Sequence, residues 1–452
     1  MTCYNEITKK KQEGNVMNKF FRKATGLVLA ATMTAGMGVC GTAYAAEESK
    51  VISDKEMNLT MMTYYEGEND ELNQFAYGKV KEYFPNVTIE FEAQPQDGGQ
   101  TIKTRAATGD LPDILQSDSG TLMLLAESGS ILPLDEYIEA WNYTDCLVPS
   151  AAELCLTSPD GHVYQFPIGG IAPVLWYYNK AIFEECGVEV PTNYDELLEA
   201  VKAFTEQGVT PLALFGKEPW PLGAMFDSFA FRANGNGVYA LSTGEAKASD
   251  EGYAKAIEKL TTLVEAGMFQ SGCTNADFDT ASAMFLEGQS AMFLNGSWYI
   301  ADADPALGED LGVFECYPTG DAGEEELNQY ATLITGDTCG LTVTTKAEDP
   351  ELCAMIAAIY AYNRQIAEYQ IQNSVTVAVK TDGLDTNSPM CAATEQLLEM
   401  MPNIQPGSKF LHVLPNTEFA TSFAEEMQKL LVGESAEEFI ANVDKCIEST
   451  VE

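Results

Sequence analysis

The segment of residues 161–193 constrains the fold most, because it contains a complete strand, bend, strand and helix in succession. Residues 161–167 predict a short strand, a bend follows at Gly169 and Gly170, and residues 175–179 predict a second, aromatic-rich strand. Thr192 is positioned to cap the next helix, and Asp195, three residues later, can reach back as in a capping box. The segment therefore predicts a βα unit.

The alternation of strands and helices continues along the chain. Further strands are predicted at residues 57–65, 87–92, 211–215, 291–294, 340–344 and 375–380, and helices at residues 72–83, 194–204, 252–267, 350–362, 421–431 and 436–447. Such alternation is typical of an α/β protein whose mostly parallel sheets are flanked by crossover helices. Since 452 residues exceed what one core usually holds, we expect two large domains.

Three blocks of the sequence resemble one family. The first carries G-x-x-Y-x-x-P at residues 161–167, Y-N-K at 178–180 and P-T at 191–192. The second is G-D-x-P-D-I at residues 109–114, and the third is residues 285–298, which end at Trp298. In these blocks the chain resembles the extracellular solute-binding proteins of carbohydrate ABC importers (family 1, similar to maltose-binding protein).

The resemblance implies a periplasmic-binding-protein-like α/β fold with two discontinuous lobes, each a mostly parallel sheet flanked by helices, and a ligand cleft between them. It implies an N-terminal lobe of residues 46–170 and 319–373, and a C-terminal lobe of residues 171–318 and 374–452. Hinges are then expected near Gly170, Pro318 and Ser374. The implied function is to capture a carbohydrate, expected to be an oligosaccharide, and to deliver it to the transmembrane subunits of an ABC permease. We expect the binding protein to be a monomer.

Residues 1–45 are interpreted as a leader. Basic residues precede an apolar run at residues 26–39, and Ala43-Tyr44-Ala45 supplies an A-x-A cleavage site. Residues 1–16 fit no signal architecture, so Met17 is the expected true start. The alternative is cleavage before Cys40 and a lipid anchor on that cysteine. This alternative is less favoured because a small residue usually precedes the cleaved bond, and Val39 is larger. We expect an exported protein, extracellular, on the cell surface or in the periplasm.

The amino-acid composition limits the kinds of partner and cofactor that the protein is expected to bind. The formal charge of −43 excludes the basic footprint that nucleic acids and anionic membranes require. The chain has only two histidines, and once Cys3 and Cys40 are set aside its cysteines lie singly, without a C-x-x-C pair. We therefore expect no metal site and no cofactor. The usual nucleophile, phosphate-loop and zinc-protease motifs do not occur, so no catalytic residues are assigned.

The candidate ligand-binding residues follow predicted strands, because open α/β sheets bind ligands beyond the carboxyl ends of their strands. For Gln116 and Asp118 the strand is the one into which the G-D-x-P-D-I block leads in the family, through residues 114–115. A pyranose needs an aromatic ring for its apolar C–H face and carboxylate or amide partners for its hydroxyls. Residues of these kinds are Tyr65, Glu66, Gln116, Asp118, Glu218, Trp220 and Trp298. Through the resemblance, Trp298 is a ligand-stacking aromatic, and residues 218–220 correspond to the acid–proline–aromatic turn of maltose-type binding proteins.

Alternatives remain open for these residues and for the function. Trp298 is alternatively a core residue, and Glu66 and Asp118 are alternatively solvated acids. Trp176 and Tyr178 lie on one strand face and are expected to pack in the core or hinge. The first alternative function is the binding of another solute. Adjacent tyrosines could bind ferric iron, and an acidic cleft lined with aromatic residues could bind a polyamine. A secreted carbohydrate-active enzyme, which needs only two carboxylates, is the second.

Overall fold

The computed structural model describes residues 50–64, 70–95, 99–149, 151–152, 158, 160–170, 172–324, 339–404 and 408–451. Among them the strands are β1 (Met57–Thr63), β2 (Val87–Ala93), β3 (Ile114–Ser117), β4 (Phe166–Pro167), β5 (Val174–Asn179), β6 (Thr210–Ala213), β7 (Ser290–Gly296), β8 (Leu311–Val313) and β9 (Gly340–Val343).

The α-helices of the described residues alternate with these strands. They are α1 (Glu71–Tyr83), α2 (Gln100–Thr108), α3 (Ser119–Glu127), α4 (Asp135–Trp141), α5 (Lys180–Cys186), α6 (Tyr194–Glu206), α7 (Pro219–Ala230), α8 (Gly237–Ser242), α9 (Glu251–Glu265), α10 (Phe278–Leu286), α11 (Ile300–Leu307), α12 (Pro350–Gln372), α13 (Ala392–Met400), α14 (Thr417–Leu431) and α15 (Ala436–Thr450).

The contacts group the chain into two compact units. The first comprises the described residues of Met1–Gly170, Thr338–Gln372 and Val377–Ser388. The second comprises those of Ile171–Asp337, Asn373–Thr376 and Pro389–Glu452. Each unit has its own sheet and its own buried hydrophobic clusters.

The sheet of the first unit has the strand order β2-β1-β3-β9-β4. β1 pairs in parallel with β2 and β3, whereas β9 is antiparallel to both β3 and β4. Helices α1 and α12 pack together over it, and the buried Asn73 of α1 accepts hydrogen bonds from Tyr360 and Arg364 of α12. These bonds satisfy polar groups that would otherwise destabilise the buried interface.

The sheet of the second unit has the strand order β6-β7-β5-β8. Its central strand β7 is buried along its whole length, with Leu294 in the cluster on one face and Phe293 in the cluster on the other. The strand predicted at residues 291–294 is thus confirmed, and its unbroken apolar run fits a strand that is covered on both faces.

The two α/β sheets are confirmed, but they are mixed and not mostly parallel. In the described second sheet only β6 and β7 pair in parallel, since β5 is antiparallel to β7 and β8. β5 and β9 are each the first described strand after the chain enters a unit. No crossover helix from an earlier strand of the same sheet fixes their direction, so they can run antiparallel.

Two segments lie in a different unit from the one predicted. Residues 319–324 pack with the second unit, where Arg232 donates to Thr319 Oγ1 and Lys259 pairs with Asp321 at 2.8 Å. Residues 377–388 pack with the first unit, where the buried Gln365 side chain accepts from the backbone N–H of Ala378 at 2.7 Å. The hinge positions themselves stay predictions.

Two local predictions are also corrected. The N-cap of α6 is Asn193, not Thr192, because the Asn193 side chain accepts from the N–H of Glu196; the Glu196 carboxylate in turn accepts from Thr192. Residues 375–380 form no continuous strand, only an isolated bridge from Val379 to Leu147.

Helix α15 provides a direct test of local helix signals. Ser435 and Glu438 form a complete capping box at its start, and Phe439, Val443 and Ile447 bury its inner face. Ser435→Ala is expected to lower the free energy of unfolding by about 1 kcal/mol, because it leaves helix N–H groups unpaired. Urea denaturation measures the change. Ser449→Ala, an exposed serine in the last turn of the same helix, is the control. Equal losses in both variants would contradict the capping role.

Candidate functional site

The carboxyl ends of β6 and β7 define one edge of the second sheet. The two strands run in parallel with Ala213 opposite Phe293, so the chain leaves both at the same edge. The segment after β6 carries Glu218 and Trp220, and the segment after β7 carries Trp298. Three of the predicted site residues are therefore brought together within the second unit.

Trp298 is on the surface. Its side chain is 45 % exposed, although the residues on either side of it, Ser297 and Tyr299, are buried. A core tryptophan would be buried like Trp176, which is fully inaccessible. In the conformation described here Trp298 is therefore available to a ligand.

Gly296 fixes where the Trp298 indole lies. A Cβ on Gly296 would overlap the benzene half of that indole, so the ring rests directly against the glycine backbone. The backbone is held in turn by the Tyr177 hydroxyl, which donates to the Gly296 carbonyl at 2.8 Å, and by the Ser297 N–H, which donates to the Pro173 carbonyl at 2.8 Å. A ring so placed offers its face without first losing rotamer freedom.

Trp220 lies beside Trp298 and is half-buried. The two ring centroids are 6.0 Å apart with the planes tilted by 60°. Trp220 follows Pro219 in the first turn of α7, and its indole N–H donates to Glu218 Oε2 at 3.2 Å. Phe215, at the end of the β6 segment, packs edge-on against Trp220 with centroids 5.1 Å apart. The hydrogen bond and the ring contacts fix the orientation of the Trp220 indole.

Glu218 places a carboxylate next to the Trp220 indole. Burial raises the pKa of this half-buried carboxyl above its usual range, and hydrogen bonds from the Phe278 backbone and the Trp220 indole oppose the shift. One acceptor group thus lies at the N–H edge of Trp220, and the Trp298 ring lies next to Trp220. Such a combination suits a ligand that has an apolar face and a rim of hydroxyl groups.

Phe410 and His412 extend this aromatic group and were not predicted. Phe410 packs edge-on against Trp220 with centroids 5.2 Å apart, and the exposed His412 stacks on Phe410 at 5.5 Å. They lie nearly two hundred residues beyond Trp220 in a segment without strand or helix periodicity. The sequence signal that could have identified them is the spacing of two ring-bearing residues, Phe410 and His412, two positions apart.

The predicted residues of the first unit that the structure describes have internal partners. Gln116 is buried; its Oε1 accepts from the Tyr64 N–H at 3.2 Å, and its Nε2 donates to Cys339 Sγ at 3.2 Å. Asp118 is the N-cap of α3 and accepts from the Thr121 N–H at 2.7 Å. Tyr65 and Glu66 lie outside the described residues. The ligand roles of all four stay predictions.

Trp176 and Tyr178 pack in the core of the second unit, as expected. The indole N–H of Trp176 donates to Ser228 Oγ at 3.2 Å, and Tyr178 packs edge-on against Phe183 and Phe314. Among the described residues, no group of three or more histidine, cysteine or acidic side chains is positioned to hold a metal ion.

Ferric iron is not favoured by the tyrosines of β5. Tyr177 is completely buried, and burial raises the pKa of its phenol well above the usual value. Its hydroxyl is also engaged with the Gly296 carbonyl. Coordination to iron needs an accessible, deprotonated phenol, so the pair of residues 177 and 178 is unsuited to that role.

Two α/β units, with one exposed and one half-buried indole and a carboxylate at the carboxyl edge of one sheet, suit a binding protein for small solutes. The family model for bacterial extracellular solute-binding proteins matches residues 67–357, which is more than half of the chain. The chain therefore belongs to this family, which is a family of binding proteins and not of enzymes.

Known proteins similar to this chain agree with that assignment. The multiple sugar-binding protein of Streptococcus mutans is 24 % identical over 370 residues, which span 78 % of this chain and 82 % of the relative. A structure described with xylan utilization by Caldanaerobius polysaccharolyticus has a TM-score of 0.74 at 23 % identity, covering 86 % of this chain and 99 % of that one. A chitin oligosaccharide binding protein has a TM-score of 0.73 at 19 % identity, covering 87 % and 99 %. These structures confirm the two-lobe fold.

The close approach of Gly296 and Trp298 gives a prediction. Gly296→Ala is expected to displace the indole and weaken ligand binding several-fold, because the backbone φ of −69° suits alanine and only the ring has to move. Tryptophan fluorescence and titration calorimetry measure the displacement and the affinity. Gly235→Ala, where a Cβ meets nothing within 4 Å, is the control. Unchanged fluorescence and affinity in the Gly296 variant would contradict this role.

Proposed function

We propose that this protein is the substrate-binding component of a carbohydrate ABC importer. The observation that carries the proposal is the pairing of the exposed Trp298 with Trp220 beside the Glu218 carboxylate. A sugar ring can stack its C–H face on an indole while its hydroxyls donate to a carboxylate. The relatives named for sugars and oligosaccharides support the same class of ligand.

The protein binds its sugar and catalyses no reaction on it. The second unit supplies the aromatic faces and Glu218; the first unit supplies Tyr65, Glu66, Gln116 and Asp118. Ligand that contacts both units favours the closed form by its differential affinity for that form. The closed form then docks on the transmembrane subunits of the permease.

A thermal-shift screen against a panel of glycans tests the proposal. A true ligand raises the unfolding midpoint by mass action, and the rise grows with ligand concentration. Calorimetry on the hits then gives affinities, with micromolar binding, about −8 kcal/mol, as the expected scale. A panel without any hit, together with a shift from a polyamine or ferric iron, would overturn the carbohydrate assignment. Hydrolysis of a bound labelled glycan would instead identify an enzyme.

The proposed function requires export of the protein, for which residues 1–45 are interpreted as the leader. In the part of the chain that the structure describes, every helix is too short or too polar to cross a bilayer. Residues 1–49 lie outside that part, so the proposal rests on the sequence Ala43-Tyr44-Ala45. Mature protein from its native host is expected to begin at Ala46, which N-terminal sequencing measures. A diacylglycerol-modified Cys40 in the mass spectrum would contradict this and indicate a lipoprotein.

A further inference from the structure

Three asparagine–glycine pairs occur in the chain, at residues 234–235, 236–237 and 295–296. Such a pair can modify itself, because a glycine without a Cβ lets its backbone nitrogen approach and attack the Cγ of the preceding asparagine side chain. The reaction needs a backbone that can move, a glycine N–H that can give up its proton, and access for water. The structure therefore decides which of the three pairs can react.

The pair Asn295-Gly296 is protected inside β7. Asn295 is 1 % exposed and lies opposite Leu175 of β5. The Gly296 N–H donates to Asn295 Oδ1 at 2.7 Å, and the Gly296 carbonyl accepts from the Tyr177 hydroxyl at 2.8 Å. Because water is excluded and the backbone is held within the sheet, we expect this pair not to react.

The pair Asn236-Gly237 is fixed at the start of α8. Gly237 is buried with a φ of +48°, and a Cβ on it would lie 2.3 Å from Asp227 Oδ1. Its N–H donates to the Asn234 carbonyl at 2.8 Å, and its carbonyl accepts from the Tyr253 hydroxyl at 2.7 Å. Attack by the Gly237 nitrogen would break the first of these bonds and rotate a peptide that has no room to move.

The pair Asn234-Gly235 differs in each respect. Gly235 is exposed, a Cβ on it would meet nothing within 4 Å, and no acceptor among the described residues is hydrogen-bonded to its N–H. On one side of the pair Ala233 lies against Gly252 of α9, where a Cβ would be 2.6 Å from Ala233 Cβ, and on the other side Gly237 is buried. The backbone freedom of this turn therefore lies between the two anchors, at residues 234–236.

The Asn234 side chain is oriented for attack at Cγ. Its Oδ1 accepts from the Asn236 N–H at 2.9 Å, which is the geometry of an Asx turn. This hydrogen bond draws electron density away from Cγ and stabilises the negative charge that develops on Oδ1 when the carbon is attacked. Asn234 is only half-buried, so water reaches it.

We propose that Asn234 is a site of spontaneous deamidation in the folded protein, through a succinimide formed with Gly235. The Gly235 nitrogen loses its proton and bonds to Asn234 Cγ, the Cγ–Nδ2 bond breaks, and the amide nitrogen leaves as ammonia. Water then adds to one of the two ring carbonyls and breaks the bond from that carbonyl to the ring nitrogen. Opening at Cγ leaves aspartate, whereas opening at the backbone carbonyl leaves isoaspartate, whose main chain runs through Cγ.

Isoaspartate at residue 234 would alter the turn that leads into α8. Its main chain is longer by a methylene group, and the carbonyl that accepts from the Gly237 N–H becomes part of a carboxylate outside the main chain. The buried start of α8, where the Val238 N–H donates to Asp227, follows directly. The isoaspartate form is therefore expected to unfold at a lower temperature than the unmodified protein.

The purified chain, kept folded at mildly alkaline pH and compared with the same chain unfolded in urea, tests the site. Alkaline buffer promotes loss of the glycine N–H proton. Peptide mapping locates the product, and fragment spectra separate Asn234 from Asn236 within the tryptic peptide of residues 233–247. The folded chain is expected to gain aspartate and isoaspartate first at residue 234, whereas the unfolded chain should react at all three pairs.

Three variants of the turn give the expected changes in rate. Gly235→Ala should slow the reaction at residue 234 about tenfold, equal to about 1.4 kcal/mol of activation free energy, because the new Cβ hinders the attack while the fold has room for it. Asn234→Gln should abolish it, since the longer side chain no longer forms the five-membered ring. Asn236→Gln is the matched control, because it keeps the backbone N–H that donates to Asn234 and should leave the rate there unchanged.

The site assignment is overturned if the folded chain gains product at residue 236 or 295 as early as at residue 234. It is also overturned if the folded chain stays intact while the unfolded chain reacts. Thermal denaturation of the isolated isoaspartate form measures the effect on α8, with Asn234→Asp, which carries the same added charge on a normal backbone, as the control. Equal midpoints for these two forms would overturn the expected effect of the longer main chain.

Discussion

Trp298→Ala is expected to weaken binding of the cognate sugar about thirty-fold. An exposed indole that is fixed beside a second indole is the kind of aromatic anchor whose loss costs about 2 kcal/mol at a binding site. Stability should change little, since the ring is 45 % exposed and its removal leaves no closed cavity. Titration calorimetry measures the affinity, and urea denaturation measures the free energy of unfolding.

Trp176→Ala is the matched control for this change. Trp176 is a fully buried tryptophan of the same unit, so its removal should cost about 3–5 kcal/mol of stability. The two variants should therefore show opposite profiles, one losing affinity and the other losing stability. If Trp298→Ala kept its affinity and lost several kcal/mol of stability, Trp298 would be a core residue and the proposed sugar site would lose its main contact.

The fold of this chain was largely predictable because its local signals agree with its packing. The strand predicted at residues 291–294 and the helix predicted at residues 436–447 are both present, as β7 and α15. Strand direction was not predictable in this way. A sequence pattern reports which faces of a strand are buried but not which neighbour it pairs with, so the antiparallel placement of β5 and β9 was missed.

The unit boundaries show a second limit of the sequence. Residues 319–324 pack with the second unit through Arg232, Lys255 and Lys259, which approach from α9 and the end of α7. These basic residues are distant in the sequence from residues 319–324, and no sequence pattern indicates that the two contact each other. Long-range hydrogen bonds and ion pairs of this kind form only in the assembled fold.

The candidate site was predictable where a residue follows a strand directly. Glu218, Trp220 and Trp298 were predicted from that placement and lie at one sheet edge. Phe410 and His412 reach the same group from a segment outside the sheet, where no periodicity signals them. Gln116 is predicted by the same rule as Trp298, yet it lies within β3 and its amide is engaged inside the first unit. The position of a residue after a strand predicts the sheet edge at which the residue lies, but it does not predict the direction in which the side chain points.

Asp227 of α7 is a buried carboxyl group whose titration should control stability. Its side chain is 1 % exposed and accepts from the Val238 N–H at 2.7 Å, with Ser408 as its other hydrogen-bond partner. Burial raises the pKa of this carboxyl from 3.8 to about 8, because the ionised form loses its hydration, and the two hydrogen bonds offset only part of that loss. In the folded protein Asp227 is therefore mainly neutral below that pH.

The wild-type protein is accordingly expected to lose stability through Asp227 as the pH rises from about 4 to about 8. In this window the folded state retains a proton that the unfolded state, with an aspartate pKa of about 3.9, releases. The folded state then binds more protons than the unfolded state, so the free energy of unfolding falls with rising pH, by at most about 1.4 kcal/mol per unit, and levels off above pH 8. Below pH 4 both states are protonated and the contribution is constant.

Asp227→Asn should remove this dependence. The amide oxygen can still accept from Val238, and the amide N–H can donate to Ser408, so both hydrogen bonds survive without an ionisable group. Urea denaturation between pH 5 and pH 8 should show the variant gaining stability over the wild type at each step, by several kcal/mol in total at pH 8. The exposed Asp279→Asn is the control for the general effect of one charge fewer on a chain of net charge −43. Parallel curves for the wild type and Asp227→Asn would show that Asp227 is ionised in the folded protein throughout this range, and would rule out its control of stability.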